Sequence, residues 1–297
     1  MSEFRNTRAA DRFRAAYDHA LAALWPGPRT AHDLPTAYGR TRVYRTGPGS
    51  SGGVGAGRPV VLLAASGGNA LMWHHQLAEL ASHHPVFAID PVGEPGASEQ
   101  SAPIADGADA AAWLDQVLAE LGLHDAHVVG CSYGGWVALQ HQLHRPGRVG
   151  ALTLLDPAGF NGFGLRFYAW LIAGGLAACA PRTLRPRLAR LVGNSAVLEG
   201  ELMKMSRAAA GFRRALPVPP VLTDEELDRI ARTGVPAQFL LGARSALHDS
   251  PAVAARIARL LPAARVEIVP DAGHSLPMDR PGLVTARILS ASSAATP

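Results

Sequence analysis

From Pro59 onward, short apolar runs alternate with amphipathic stretches, and that alternation sets the fold class. The runs are Val60–Ala65, Val86–Ile89, Ala126–Gly130, Ala151–Leu155, Ala237–Leu241 and Arg265–Val269. They are too short for ordinary buried helices, and most are rich in Val, Ile and Leu, as strands covered on both faces are. Between them, apolar positions at helical spacing predict helices over Trp73–Ser82, Ala108–Leu121, Tyr133–His144, Asp224–Arg232 and Ala252–Leu261, with a last one over Leu283–Ser290. Strand–helix alternation of this kind builds a mostly parallel sheet flanked by helices.

Two regions depart from the alternation. At the start, Phe4, Phe13, Tyr17, Leu21 and Leu24 mark the apolar stripe of a helix that ends at Trp25-Pro26-Gly27-Pro28. A turn-rich stretch and a short strand over Arg40–Arg45 follow it, and Gly47 to Gly57 reads as a flexible Gly/Ser/Ala loop. Later, about 80 residues between Asp156 and Val235 carry helical apolar stretches and no strand pattern, which in an α/β domain marks a functional insertion. The expected organisation is an N-terminal helix and first strand (1–45), a first part of the core (46–156), a helical cap (157–222) and a second part of the core (223–297). Phe167, Tyr168 and Trp170, early in the cap, are candidates for an apolar roof over a substrate.

Composition removes several function classes. Hydrophobic residues make up 48% of the 297 and charged residues only 18%, which excludes a mostly disordered chain. Two cysteines, Cys131 and Cys179, cannot staple a secreted scaffold. The net charge is +4, but apart from Arg182, Arg185, Arg187 and Arg190 the basic residues are scattered, so no nucleic-acid partner is expected. The charged residues between Ser2 and Leu24 do not fit a signal peptide. Phe167 to Ala180, the most apolar run, is shorter than the roughly 20 residues of a membrane span. A soluble, cytoplasmic protein without a membrane partner is the expectation.

The chemistry concentrates in Gly130-Cys131-Ser132-Tyr133-Gly134-Gly135, between a predicted strand and a predicted helix. A Gly-x-Ser-x-Gly string in that context is a nucleophile elbow: the serine sits on a strained turn, and the glycines let strand and helix pass closely. Ser132 is therefore the candidate nucleophile, and it needs a base. Asp271-Ala272-Gly273-His274-Ser275 directly follows the last predicted strand, where this arrangement places its base, so His274 is the candidate. His141 and His144 lie three apart on a helix but have no further ligand motif, and His74, His75, His83 and His84 read as surface or site-lining residues. No metal and no cofactor are expected.

These motifs resemble the α/β-hydrolase superfamily over Pro59 to the C-terminus, and the N-terminal helix followed by Thr36-Ala37-Tyr38-Gly39-Arg40-Thr41-Arg42-Val43 is similar to its bacterial serine carboxylesterase-like members. Asp90-Pro91-Val92-Gly93-Glu94-Pro95-Gly96-Ala97-Ser98 is similar to the turn after the fourth strand of that family, with one extra residue between the glycines. The resemblance implies an α/β-hydrolase fold with a helical cap inserted after the sixth strand, and an oxyanion hole formed by the Ser66 and Tyr133 amides. Two departures stand out. The family's usual His-Gly after the third strand is replaced by Ala64-Ala65. The usual acid, three residues beyond the glycine ending the seventh strand, is replaced by Ser245, and serine cannot carry the charge that stabilises an imidazolium. Asp156, at the end of the sixth strand, and Asp249, deeper in the loop after Ser245, are the alternatives; Asp156 is favoured because strand ends hold side chains more rigidly. The reading is a serine hydrolase of a small, partly hydrophobic ester or thioester. An acyltransferase or cyclase using the same acyl-serine, and a non-hydrolytic binding protein, are the rivals.

Overall fold

Val60, Val61, Leu62 and Leu63 are all buried, although successive side chains of a strand point to opposite faces. Val61 and Leu63 join a core that contains Leu114, Trp136 and Phe239, whereas Val60 and Leu62 join another that contains Trp73, Leu77 and Ile288. A strand buried on both faces needs helices on both, and the fold follows from that requirement.

The computed structural model describes residues 1–48 and 57–293, so most of the expected Gly47–Gly57 loop lies outside the described residues. The main sheet contains β1 (Thr30–Thr36), β2 (Gly39–Thr46), β3 (Val60–Leu63), β4 (Val86–Ile89), β5 (Ala126–Cys131), β6 (Val149–Leu155), β7 (Ala237–Gly242) and β8 (Arg265–Val269). Their order is β1-β2-β4-β3-β5-β6-β7-β8, and Glu99–Gln100 adds a two-residue ninth strand beside β2. From β4 to β8 every pairing is parallel; β1 and β2 are antiparallel to their neighbours. The helices are α1 (Thr7–Leu24), α2 (His74–His83), α3 (Gly107–Glu120), α4 (Tyr133–His144), α5 (Leu165–Cys179), α6 (Arg185–Val192), α7 (Gly200–Ala208), α8 (Asp224–Ala231), α9 (Ser250–Leu260), α10 (Leu276–Asp279) and α11 (Pro281–Ser293).

Two segments differ from the sequence reading. The turn-rich stretch after α1 contains β1, an edge strand whose polar residues face outward. Its Asp33 accepts hydrogen bonds from Arg40 and Arg42 of β2, so cross-strand ion pairs stand in for an apolar pattern. The insertion after β6 is helical through α5, α6 and α7, but it ends in a two-residue strand, Phe212–Arg213, paired antiparallel with Glu3–Phe4. Ser2 adds a hydrogen bond by accepting from the Ala215 amide at 2.8 Å. Pairings this short leave no periodic trace. The N-terminal segment thus holds the return of the cap, and α1 packs against α7 beside it.

Candidate active site

Ser132 sits between β5 and α4 with φ 51° and ψ −112°, a strained conformation for a residue with a side chain. The glycines around it are required by contact. A Cβ on Gly130 would lie 2.5 Å from the Gly134 carbonyl oxygen, and one on Gly134 would lie 2.4 Å from that of Leu63. The neighbouring Cys131 is buried, and burial pushes its thiol pKa up, so it stays protonated and weakly nucleophilic.

The loop after β8 brings His274 to the serine: its Nε2 lies 3.0 Å from Ser132 Oγ. Its Nδ1 lies 2.6 Å from Asp156 Oδ2. Asp156 follows β6 at φ 45°, so two adjacent parallel strands end in strained residues that share one histidine. The Asp156 carboxylate is fully buried and accepts from the Gly242 amide (3.1 Å) and the Ser245 hydroxyl (2.5 Å). Burial alone would raise its pKa; the His274 hydrogen bond and charge, together with His248 and Ser245, outweigh it and hold the carboxyl below its ordinary range. The residue in the usual acid position has become a donor that solvates an acid on the next strand.

The loop after β3 approaches the same point. Tyr133 opens α4, so its N–H has no partner within the helix. Beside it, the Gly67 amide donates to Glu94 Oε2 at 2.9 Å. Arg214, just beyond the Phe212–Arg213 strand, donates from Nε to Glu94 Oε1 at 2.7 Å and from Nη1 to the Leu216 carbonyl at 3.2 Å. Its guanidinium lies 4.7 Å from the Tyr133 ring centroid. Burial pushes the Glu94 carboxyl pKa up, and the Arg214 charge and hydrogen bond offset that rise only in part, so it stays above its ordinary range. This pair ties the turn after β4, the loop after β3 and the first residue of α4 to the returning cap.

Ser132 and His274 open on a cavity of about 580 Å³. Phe167, Tyr168 and Trp170 of α5 line it, with Met72, Met205 and Met278 among its other lining residues. The rings of Phe167 and Trp170 stand edge-on to His274 at 5.7 and 5.5 Å. A second cavity of about 620 Å³, beneath the N-terminal segment, is lined by Phe13, Tyr17 and Arg42 and has none of these groups.

Residues 58–281 match the family model of the alpha/beta hydrolase fold. The chain belongs to that family. Two carboxylesterases of Bacillus subtilis are similar along nearly their whole length. YbfK is 29% identical over 97% of this chain and 96% of its own, and the uncharacterized carboxylesterase nap is 29% identical over 94% and 91%. Solved structures agree: carboxylesterase CesB (YbfK) superposes with a TM-score of 0.79 at 26% identity, covering 98% of this chain and all of its own. Naproxen esterase superposes with 0.81 at 27% identity, covering 96% and 99%. Both structures are from Bacillus subtilis.

Within this hydrolase, Ser132, His274 and Asp156 meet, and Ser66, Tyr133, Phe167, Tyr168 and Trp170 line the same cavity. Asp249 does not join them. It is exposed and caps α9, accepting from the Ala252 amide, so the alternative acid is a helix cap. Sequence reasoning missed Glu94 and Arg214. The extra residue in the turn after β4 was the available signal, but nothing local shows that a cap residue 120 positions on reaches it.

His74, His75 and Glu199 are the one trio among the described residues whose potential ligand atoms all lie within 4.8 Å of one another. Here they form a seam between α2 and the cap, with Glu199 2.8 Å from His75 and 3.4 Å from His74. The His74 hydrogen bond, opposed by partial burial and helped by His75, lowers the Glu199 pKa from 4.5 to about 2. A depressed carboxyl stabilises the fold above its unfolded pKa and loses that contribution as pH falls through the folded value. The melting-temperature difference between wild type and Glu199→Gln should therefore be present at about pH 5, shrink towards about pH 2 and vanish below it. An unchanged difference across that range would remove Glu199 from the seam's energetics. No helix among the described residues is long and apolar enough to cross a membrane.

Proposed function

We propose that the chain hydrolyses carboxylic esters, thioesters included, of small and partly hydrophobic substrates through an acyl-serine intermediate. The observation that carries this reading is the unbroken Asp156–His274–Ser132 relay opening on an apolar cavity. The carboxylesterase relatives supply the substrate class.

His274 Nε2 takes the Ser132 proton as Oγ attacks the acyl carbon, and the carbonyl oxygen becomes an oxyanion facing the Ser66 and Tyr133 amides. Collapse expels the alcohol or thiol, which receives the proton from His274. Water then attacks the acyl-serine with His274 again as base, releasing the carboxylic acid and restoring Ser132. Asp156 remains ionised throughout, fixing the Nδ1–H tautomer and stabilising the imidazolium. The binding-protein alternative leaves the alignment of three buried polar groups without a purpose, whereas catalysis uses each. Phe167, Tyr168 and Trp170 would seat the hydrophobic part of the substrate, and the expected chemistry needs no cofactor.

Intact mass after treatment with a fluorophosphonate tests the nucleophile. One adduct is expected on wild type and none on Ser132→Ala. Folded wild type that stays unmodified by both large and small probes would defeat the proposal.

A further inference from the structure

The exposed side chains of the cap are both apolar and cationic. On α5, Leu165, Tyr168, Ile172 and Leu176 recur at spacings of three and four residues and are 89, 52, 65 and 69% exposed. Leu191 on α6 adds an apolar side chain 74% exposed. The inward faces of both helices are already occupied, with Ala177, Ala189 and Val197 packed together beneath them. Single exposed apolar residues are ordinary, but a contiguous stripe beside a cavity marks an interaction surface. Tyr168 and Leu171 belong to both, since each is exposed and lines the cavity.

Charge identifies the partner. Between Asp156 and Glu199 the chain has five arginines and no Asp or Glu. Arg166 and Arg185 are tied to backbone carbonyl oxygens, but Arg182, Arg187 and Arg190 are exposed and have no carboxylate partner among the described residues. A second copy of this chain would set like charges against each other. A nucleic acid would satisfy the arginines and leave the leucines against water. An anionic lipid surface takes both, the side chains of the stripe entering the headgroup boundary while the guanidinium groups meet phosphates.

We propose that the α5–α6 face of the cap docks the protein peripherally on anionic lipid bilayers, with the mouth of the cavity at the lipid surface. This rests on the cap alone and not on the proposed reaction. Flotation with unilamellar vesicles tests it, comparing phosphatidylcholine mixed with phosphatidylglycerol against phosphatidylcholine alone. Wild type should float with the mixed vesicles, remain in solution with the zwitterionic ones, and be released by about 1 M salt, where screening reaches roughly 3 Å.

Each arginine near such a surface changes partition roughly fivefold, so reversing Arg182, Arg187 and Arg190 together to Glu should weaken it by about 100-fold or more. Ile172→Ser with Leu176→Ser should weaken it as well, and these exposed substitutions should leave the melting temperature unchanged. Ser132→Ala should float like wild type, which separates docking from catalysis. Failure of wild type to float, equal flotation with both vesicle types, or undiminished flotation of the folded triple variant would overturn the proposal. So would preferential binding to a DNA duplex, or a dimer abolished by the cap substitutions.

Discussion

Asp156→Ala is expected to lower kcat for a soluble aryl ester by roughly 10⁴-fold with little change in KM, because loss of the acid disturbs the histidine tautomer and the developing imidazolium and not substrate binding. Asp249→Ala should retain wild-type activity, since that side chain caps α9. The sharper test lies in Ser245, whose hydroxyl is 2.5 Å from the carboxylate oxygen that His274 uses. A carboxylate at 245 would approach the same Nδ1 from the end of β7. Asp156→Ala combined with Ser245→Asp should therefore recover about 10- to 100-fold of the lost kcat, a fraction of the full effect because the new acid lacks the Gly242 amide that Asp156 accepts from. Ser245→Ala alone removes one donor from a buried carboxylate and should cost about 1–3 kcal/mol of stability. Full activity in folded Asp156→Ala would refute the assignment, and circular dichroism beside the kinetics separates unfolding from lost chemistry.

The acid shows where local sequence stops informing. Gly-Cys-Ser-Tyr-Gly-Gly announces an elbow because the pattern sits within six residues between a strand and a helix, although only the Gly130–Gly134 approach is local and Gly134 answers to the Leu63 carbonyl of β3. Gly-His is legible from its place in the loop directly after β8, although Gly273 closes on the Gly193 carbonyl and His274 on Ser132 and Asp156, all far away in the chain. Choosing Asp156 over Asp249 depends on which carboxylate reaches a histidine 118 residues away, and that is settled by strand order. The apolar strands were legible because burial on both faces leaves an unbroken Val/Leu run such as Val60–Leu63. Strand β1 was not, because an edge strand bridged by Asp33 and two arginines looks like a polar turn. The clasp between Glu3–Phe4 and Phe212–Arg213 depends on pairing across about 200 residues, and two-residue strands carry no period.

Glu94→Leu should cost both stability and turnover, and the two losses have different origins. The carboxylate is 1% exposed while its partner Arg214 is 26% exposed, so removing it leaves a half-buried guanidinium whose strongest acceptor is gone. Breaking such a pair from one side typically costs about 3–5 kcal/mol, and the partial exposure of Arg214 places the expected loss at or below the lower end. Replacing both partners, as Glu94→Leu with Arg214→Met, should recover much of it, because no charge is then stranded.

Turnover should not recover in the double variant. Glu94 accepts from the Gly67 amide, and Arg214 lies over the Tyr133 ring, so the pair braces the segments that carry both amides proposed for the oxyanion hole. In this proposal the missing His-Gly has a counterpart in Glu94, from the turn after β4, and Arg214 of the returning cap. Donors that drift from the oxyanion position lose stabilisation specific to the transition state, which lowers kcat more than it raises KM. A 10- to 100-fold fall in kcat is expected for both variants, compared with about 10²–10³ for outright loss of one donor. Glu94→Gln keeps an oxygen for the Gly67 amide and should fall between these variants and wild type. A double variant that is both stable and fully active would show that the ion pair serves only packing, and that the loop after β3 holds its own shape.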